Sequence, residues 1–193
     1  MTPRLRRDDA GFSLIELLVA MGLFGIIITI VGSVIISALT ADRTVREVTG
    51  STTDGQLVVN IIEETVRNST AVLVTTAADG VSTFATARTT AGGTARCQAW
   101  FYDDEVGAVF ELSSPTAVAA PNPGAVGTEW IQVSAGITPL EDGVGAPVPV
   151  FALEGTRGLA VTFSVDGGSG TSSLFITTVT GRAPQSNVSP QCF

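Results

Sequence analysis

Side chains able to do chemistry are few in this chain of 193 residues, and two of the usual types are missing. There is no His, and all ten basic residues are Arg, so there is no Lys either. Without an imidazole no Ser-His-Asp or Cys-His pair can form, and no imidazole can ligate a metal. Without a lysine amine there is no Schiff base and no P-loop lysine. Two thiols remain, Cys97 and Cys192, too few for a structural zinc site, and no metal or cofactor is expected. The densest carboxylate run, Asp103-Asp104-Glu105, lies between strand-like CQAWFY and Val106-Gly107 and reads as a solvated turn rather than an acid–base pair. An enzyme is not expected. One carboxylate stands apart: Glu16 sits at the mouth of an apolar run, and no charged residue follows it from Leu17 to Ala41.

The elements that must position these groups begin with that run. Only 15% of the residues are charged, against the roughly 25% usual for soluble domains. The formal net charge is -8. Residues 1–11 hold three Arg and two Asp, so the rest of the chain is more acidic still. Such a body holds phosphates poorly, which disfavours direct binding of nucleic acid. Arg4, Arg6 and Arg7 precede the apolar run, an arrangement that favours a cytoplasmic N-terminus and an exported C-terminus. As a helix, residues 12–39 would be roughly 40 Å long at about 1.5 Å per residue. That exceeds the roughly 30 Å hydrocarbon core. A secretory signal has a shorter apolar core with a small-residue junction after it; here Ala10-Gly11 comes before it.

The junction reads Gly11-Phe12-Ser13-Leu14-Ile15-Glu16-Leu17-Leu18-Val19-Ala20. With its basic leader and uncharged continuation it resembles the class III signal of type IV pilins and type II secretion pseudopilins. That resemblance implies cleavage by a membrane-embedded prepilin peptidase after Gly11, N-methylation of the new terminus at Phe12, and an assembly role for Glu16, fifth in the mature chain. It further implies other pilins or pseudopilins and a membrane assembly platform as partners. The physics agrees. A glycine before the scissile bond leaves the backbone free to extend into a protease cleft. A carboxylate near lipid needs a partner, and the Phe12 amine lies one helical turn away or on a neighbouring subunit. Many major pilins carry a proline in this segment; here none occurs between Arg4 and Ser114, which favours a minor pilin or pseudopilin. Gly22, Gly25 and Gly32 could soften the helix or allow close helix packing.

Beyond the run, Ala41, Val45, Val48, Thr52, Gly55, Val59, Ile62 and Val66 recur at spacings of three and four, one face of a helix. Gly50, Gly55 and Ser51-Thr52-Thr53 predict a weak or irregular middle. After Asn68-Ser69 the pattern turns to strands. Strands are expected at 71–76 and 81–87 as a hairpin, then at 96–102, 108–112, 130–134, 159–165 and 173–180, with loops at 114–128 and 138–149. Asp79 and Asp166 fall in hairpin turns without the spaced acidic ligands that calcium needs. Cys97 and Cys192 suit a disulfide that staples the C-terminus to the sheet outside the cytoplasm; two separate buried thiols are the alternative.

The expected fold class is α+β and pilin-like, a long N-terminal helix with a transmembrane first half laid across an antiparallel sheet. The divisions are a leader at 1–11, a membrane and assembly helix at 12–39, an amphipathic continuation at 40–69 and a β-rich domain at 70–193. The expected function is a structural subunit processed by prepilin peptidase and built into a type IV pilus or related filament. A single-pass membrane protein with an exported domain, at the cell surface once assembled, follows from it. The competing reading is a displayed binding module for DNA, a surface or a secreted substrate, with residues 114–149 as its contact surface.

Overall fold

The computed structural model describes residues 13–90, 94–168, 170–181 and 192. The chain divides into two compact units, Met1–Val45 and Arg46–Phe193. One helix, α1 (Leu14–Arg67), supplies the described part of the first unit and the opening of the second.

In the first unit the side chains of α1 are apolar around the whole circumference and exposed, among them Leu14, Leu18, Phe24, Ile28, Val34 and Leu39. A helix apolar on all sides belongs in lipid or among other helices. Its few hydroxyls are satisfied by the helix itself: Thr29 donates to the Gly25 carbonyl (2.8 Å), Ser33 to Ile30 (2.8 Å) and Thr40 to Ile36 (3.0 Å). That internal bonding lets hydroxyls sit where no water is available.

In the second unit Arg46–Arg67 of α1 lies on two antiparallel sheets. The first is a five-stranded meander of β1 (Ser69–Thr76), β2 (Thr83–Thr89), β3 (Arg96–Asp103), β4 (Ala108–Ser114) and β5 (Ile131–Ala135). The second holds β6 (Ile137–Thr138), β7 (Phe151–Glu154), β8 (Gly158–Asp166) and β9 (Ser172–Thr180). β6 and β7 both pair with β8, at different points along it, and β9 pairs with β8 over its whole length. β7 packs beside β1 and β2, and its Phe151 amide donates to the Thr83 hydroxyl (3.3 Å).

The main core lies between α1 and the sheets, where Val58, Ile62 and Val66 meet Ala87, Trp100, Tyr102, Phe151, Val161 and Phe163. A second cluster occupies the opposite face of the first sheet, where Phe84, Ala99, Phe101 and Trp130 are joined by Val118 and Val126 from the long loop. β2 and β3 are therefore covered on both faces, and nearly every residue along them is buried.

Three differences from the sequence reading have physical reasons. The expected weak middle of the helix is unbroken, and three of its small residues, Ser51, Thr52 and Gly55, are packing positions. Gly55 is buried, and a side chain there would overlap the Phe175 ring carbons. The Ser51 and Thr52 hydroxyls bond Ser173 Oγ at 2.9 and 3.1 Å. The buried face runs Ser51, Gly55, Val58, Ile62, Val66, while Ala41, Val45 and Val48 are exposed. Two sheets stand where one was expected. The strands β6 and β7 escaped notice because they are two and four residues long and sit among prolines and glycines.

Candidate processing and assembly site

Glu16 stands in the first turn of α1, where the Leu17 amide already donates to the Ser13 carbonyl (3.1 Å). A carboxylate in that position lies near the partly positive end of the helix. It is exposed, as are Ile15, Leu17 and Val19 around it, so its surroundings are apolar side chains and whatever the helix meets. Gly11 and Phe12 lie outside the described residues, and so does the leader. Residue 12 is four positions before Glu16, the one-turn spacing at which helical side chains become neighbours.

The two cysteines are brought together: Cys97 and Cys192 form a disulfide, with Cα atoms 5.5 Å apart across a separation of 95 residues. Cys97 is the second residue of β3 and shares a sheet face with Ala99 and Phe101, the face away from α1. The bond therefore ties residue 192 to the side of the sheet opposite the helix. Both cysteines are buried.

The acidic turn is structural in its detail. Asp103 is fully buried and accepts from the Glu105 amide (3.1 Å) and the Gly124 amide (2.9 Å), which fixes the long loop over the second cluster. Asp104 accepts from the Tyr102 hydroxyl (2.8 Å). Burial raises the Tyr102 phenol well above its ordinary value, and the hydrogen bond to Asp104 and the charges of Asp104, Asp103 and Asp79 add to the effect. Burial works against the Asp79 charge, but hydrogen bonds from the Ser82 hydroxyl and the Val81 and Ser82 amides outweigh it and hold the carboxyl below its ordinary range. Asp166 accepts from the Gly168 amide (2.8 Å). These carboxylates shape turns. Among the described residues no group of three or more His, Cys, Asp or Glu is placed to hold a metal ion.

The first half of the proposed contact surface also has a packing duty. Val118, Val126 and Trp130 cover Phe84 and Phe101, with ring centroids 6.3 and 6.5 Å from Trp130. The second half, residues 138–149, contains a tight loop in which Asp142 accepts from the Val144 and Ala146 amides, each at 2.9 Å.

Residues 6–32 match the family model of the prokaryotic N-terminal methylation motif. The chain carries a prepilin-type signal. The match spans the Gly11-Phe12 junction, Glu16 and the apolar run as far as Gly32, and it marks the chain as a substrate of the type recognised by prepilin peptidase. Assembly with other pilins goes with such a signal. No curated protein and no solved structure matches the chain. The helix of the first unit meets the length and apolarity needed to cross a membrane, which suits an anchored protein with an exported C-terminal domain.

Proposed function

We propose that this protein is a minor pilin or pseudopilin, a non-enzymatic structural subunit of a type IV pilus or related filament. Prepilin peptidase cuts between Gly11 and Phe12 and methylates the Phe12 amine. Residues 12–39 then hold the protein in the membrane with its N-terminus on the cytoplasmic side. An assembly platform draws it into a filament in which the same helix becomes part of the shared core. Glu16 pairs with the Phe12 amine of a neighbour and sets the axial register. The single observation that carries this reading is the coincidence of the methylation motif at residues 6–32 with an unbroken helix from Leu14 that holds no charged residue from Leu17 to Ala41. The acidic body disfavours direct binding of nucleic acid. Display of the domain as a binding module for a surface or a secreted substrate would add to this role. The test is N-terminal sequencing of membrane-extracted protein: a terminus at N-methylated Phe12 supports the reading, and an intact Met1 terminus sinks it.

A further inference from the structure

The turn that ends α1 carries a motif with a chemistry of its own. Asn68-Ser69-Thr70 is an Asn-X-Ser/Thr triplet without proline at its centre, the acceptor pattern for an N-linked saccharide on exported protein. Asn60 and Asn122 lack the hydroxyl two positions on, and the other match, Asn187-Val188-Ser189, lies outside the described residues. So short a pattern is common, and its placement decides whether it can serve.

The placement suits an acceptor. Asn68 is the one turn residue between Arg67, last of α1, and Ser69, first of β1, and it is exposed. Ser69 is turned inward, 2% exposed, with its hydroxyl donating to the Val66 carbonyl (2.7 Å). The Asn68 amide and the Thr70 hydroxyl, the two groups that define the motif, flank that buried side chain. The register of β1 on β2 shifts between Ser69 and Ala71, so Thr70 is the extra residue of a bulge and is left out of the ladder. Its hydroxyl makes two long contacts, with the Arg88 guanidinium (3.3 Å) and the Arg88 carbonyl (3.4 Å). The Asn68 amide has hydrogen to spare. Its Nδ2 donates to the Glu64 carbonyl (2.8 Å), in the last turn of the helix. A carboxamide has two N–H bonds, so one can give way to a bond to carbon while the other keeps the cap. Beside it lies an open hollow of about 310 Å³, lined by Asn60, Glu63, Glu64, Arg67 and Asn68. Its walls offer carboxylate acceptors and guanidinium and amide donors, the groups that pair with sugar hydroxyls.

We propose that Asn68 is the attachment site of an N-linked saccharide whose first sugar lies over this hollow. The donor is a saccharide carried on a polyprenyl diphosphate, and the catalyst is a transferase acting on the exported side of the membrane. The Asn68 nitrogen bonds to the anomeric carbon of the sugar, and the bond from that carbon to the diphosphate breaks. The diphosphate leaves with the electron pair, the nitrogen gives up one proton, and nothing is oxidised or reduced. The proposal rests on export of the second unit, the side on which such a transferase works.

Glycopeptide mass spectrometry of the full chain, extracted from the membranes of the cells that make it, tests this. The peptide that carries Asn68 should be heavier than its sequence by a whole number of sugar residues, and fragmentation should place that mass on Asn68. Asn68→Gln and Thr70→Val should both lose it, and Thr70→Ser, which keeps the hydroxyl, should retain it. Asn187→Gln should leave it in place, which separates the two triplets. A bare Asn68 peptide in the parent chain would overturn the proposal whatever the variants do. So would mass on Asn68 that persists in Thr70→Val. Protease added outside spheroplasts of the same cells reads export of the domain. A bare Asn68 in a domain open to that protease overturns the saccharide alone, and a domain shielded from it overturns the export reading as well.

Discussion

Alanine at Gly55 and alanine at Gly50 should move stability in opposite directions, although both glycines lie in the same helix. An added Cβ at Gly50 meets nothing within 4 Å. There the helix gains the difference in propensity, up to about 1 kcal/mol. At Gly55 the new methyl group would overlap Cε2, Cζ and Cδ2 of Phe175. Phe175 is held from its other side by Phe163, stacked with ring centroids 5.2 Å apart and planes at 22°. Overpacking of this kind costs about 1–3 kcal/mol, and a disturbed aromatic pair forfeits about 0.5–1.5 kcal/mol more. Set against the propensity gain, the net loss is about 2 kcal/mol. In a domain of this size that lowers Tm by roughly 4–8 °C, while Gly50→Ala raises it by roughly 2–4 °C. Thermal unfolding of the full chain in detergent, followed by near-UV circular dichroism, reads both. Phe175→Leu in the Gly55→Ala background should recover part of the loss, with a coupling of about 0.5–3 kcal/mol. A Gly55→Ala protein as stable as the parent would show that Phe175 does not need the notch.

Three further outcomes follow from the same geometry. Removing the disulfide with Cys97→Ser and Cys192→Ser should destabilise the domain by at most roughly 4–5 kcal/mol, the loop-entropy figure for a separation of 95 residues; an unchanged denaturation midpoint would refute the staple. Tyr102 is the one tyrosine, so absorbance at alkaline pH reports it alone. Its raised pKa means that the unfolded chain loses this proton first, near pH 10, so stability falls as pH rises beyond that point. The folded phenol should not titrate near pH 10, and ordinary titration there would contradict its burial. Finally, Glu16→Val should leave membrane insertion and cleavage intact but sharply lower the share of processed protein in sheared filaments. Glu16→Asp should be intermediate, and equal incorporation would remove the assembly role.

Much of this architecture was legible from local pattern. The strands at 71–76, 96–102 and 159–165 announce themselves through β-branched and aromatic runs between turn residues, and the hairpins at Asp79-Gly80 and Asp166-Gly167 through turn chemistry. The methylation signal was legible because it is contiguous: recognition by a protease in an extended segment needs neighbours in sequence, not in space. What escaped depends on the partner. Gly55 reads as a weak helix position until Phe175, 120 residues later, is seen in its notch. Asp103 reads as solvated until the Gly124 amide closes over it. β7 is a strand because β8 and the first sheet offer it a place, not because Phe151–Glu154 prefers one.

The central claim is that the chain is a processed prepilin, and intact mass of membrane-extracted protein with sequencing of its first residues tests it most directly. The account predicts a chain that starts at Phe12, carries one methyl group on its amine and retains the apolar helix. A chain that still begins at Met1, or one cut beyond Leu39 and released without the helix, would contradict it.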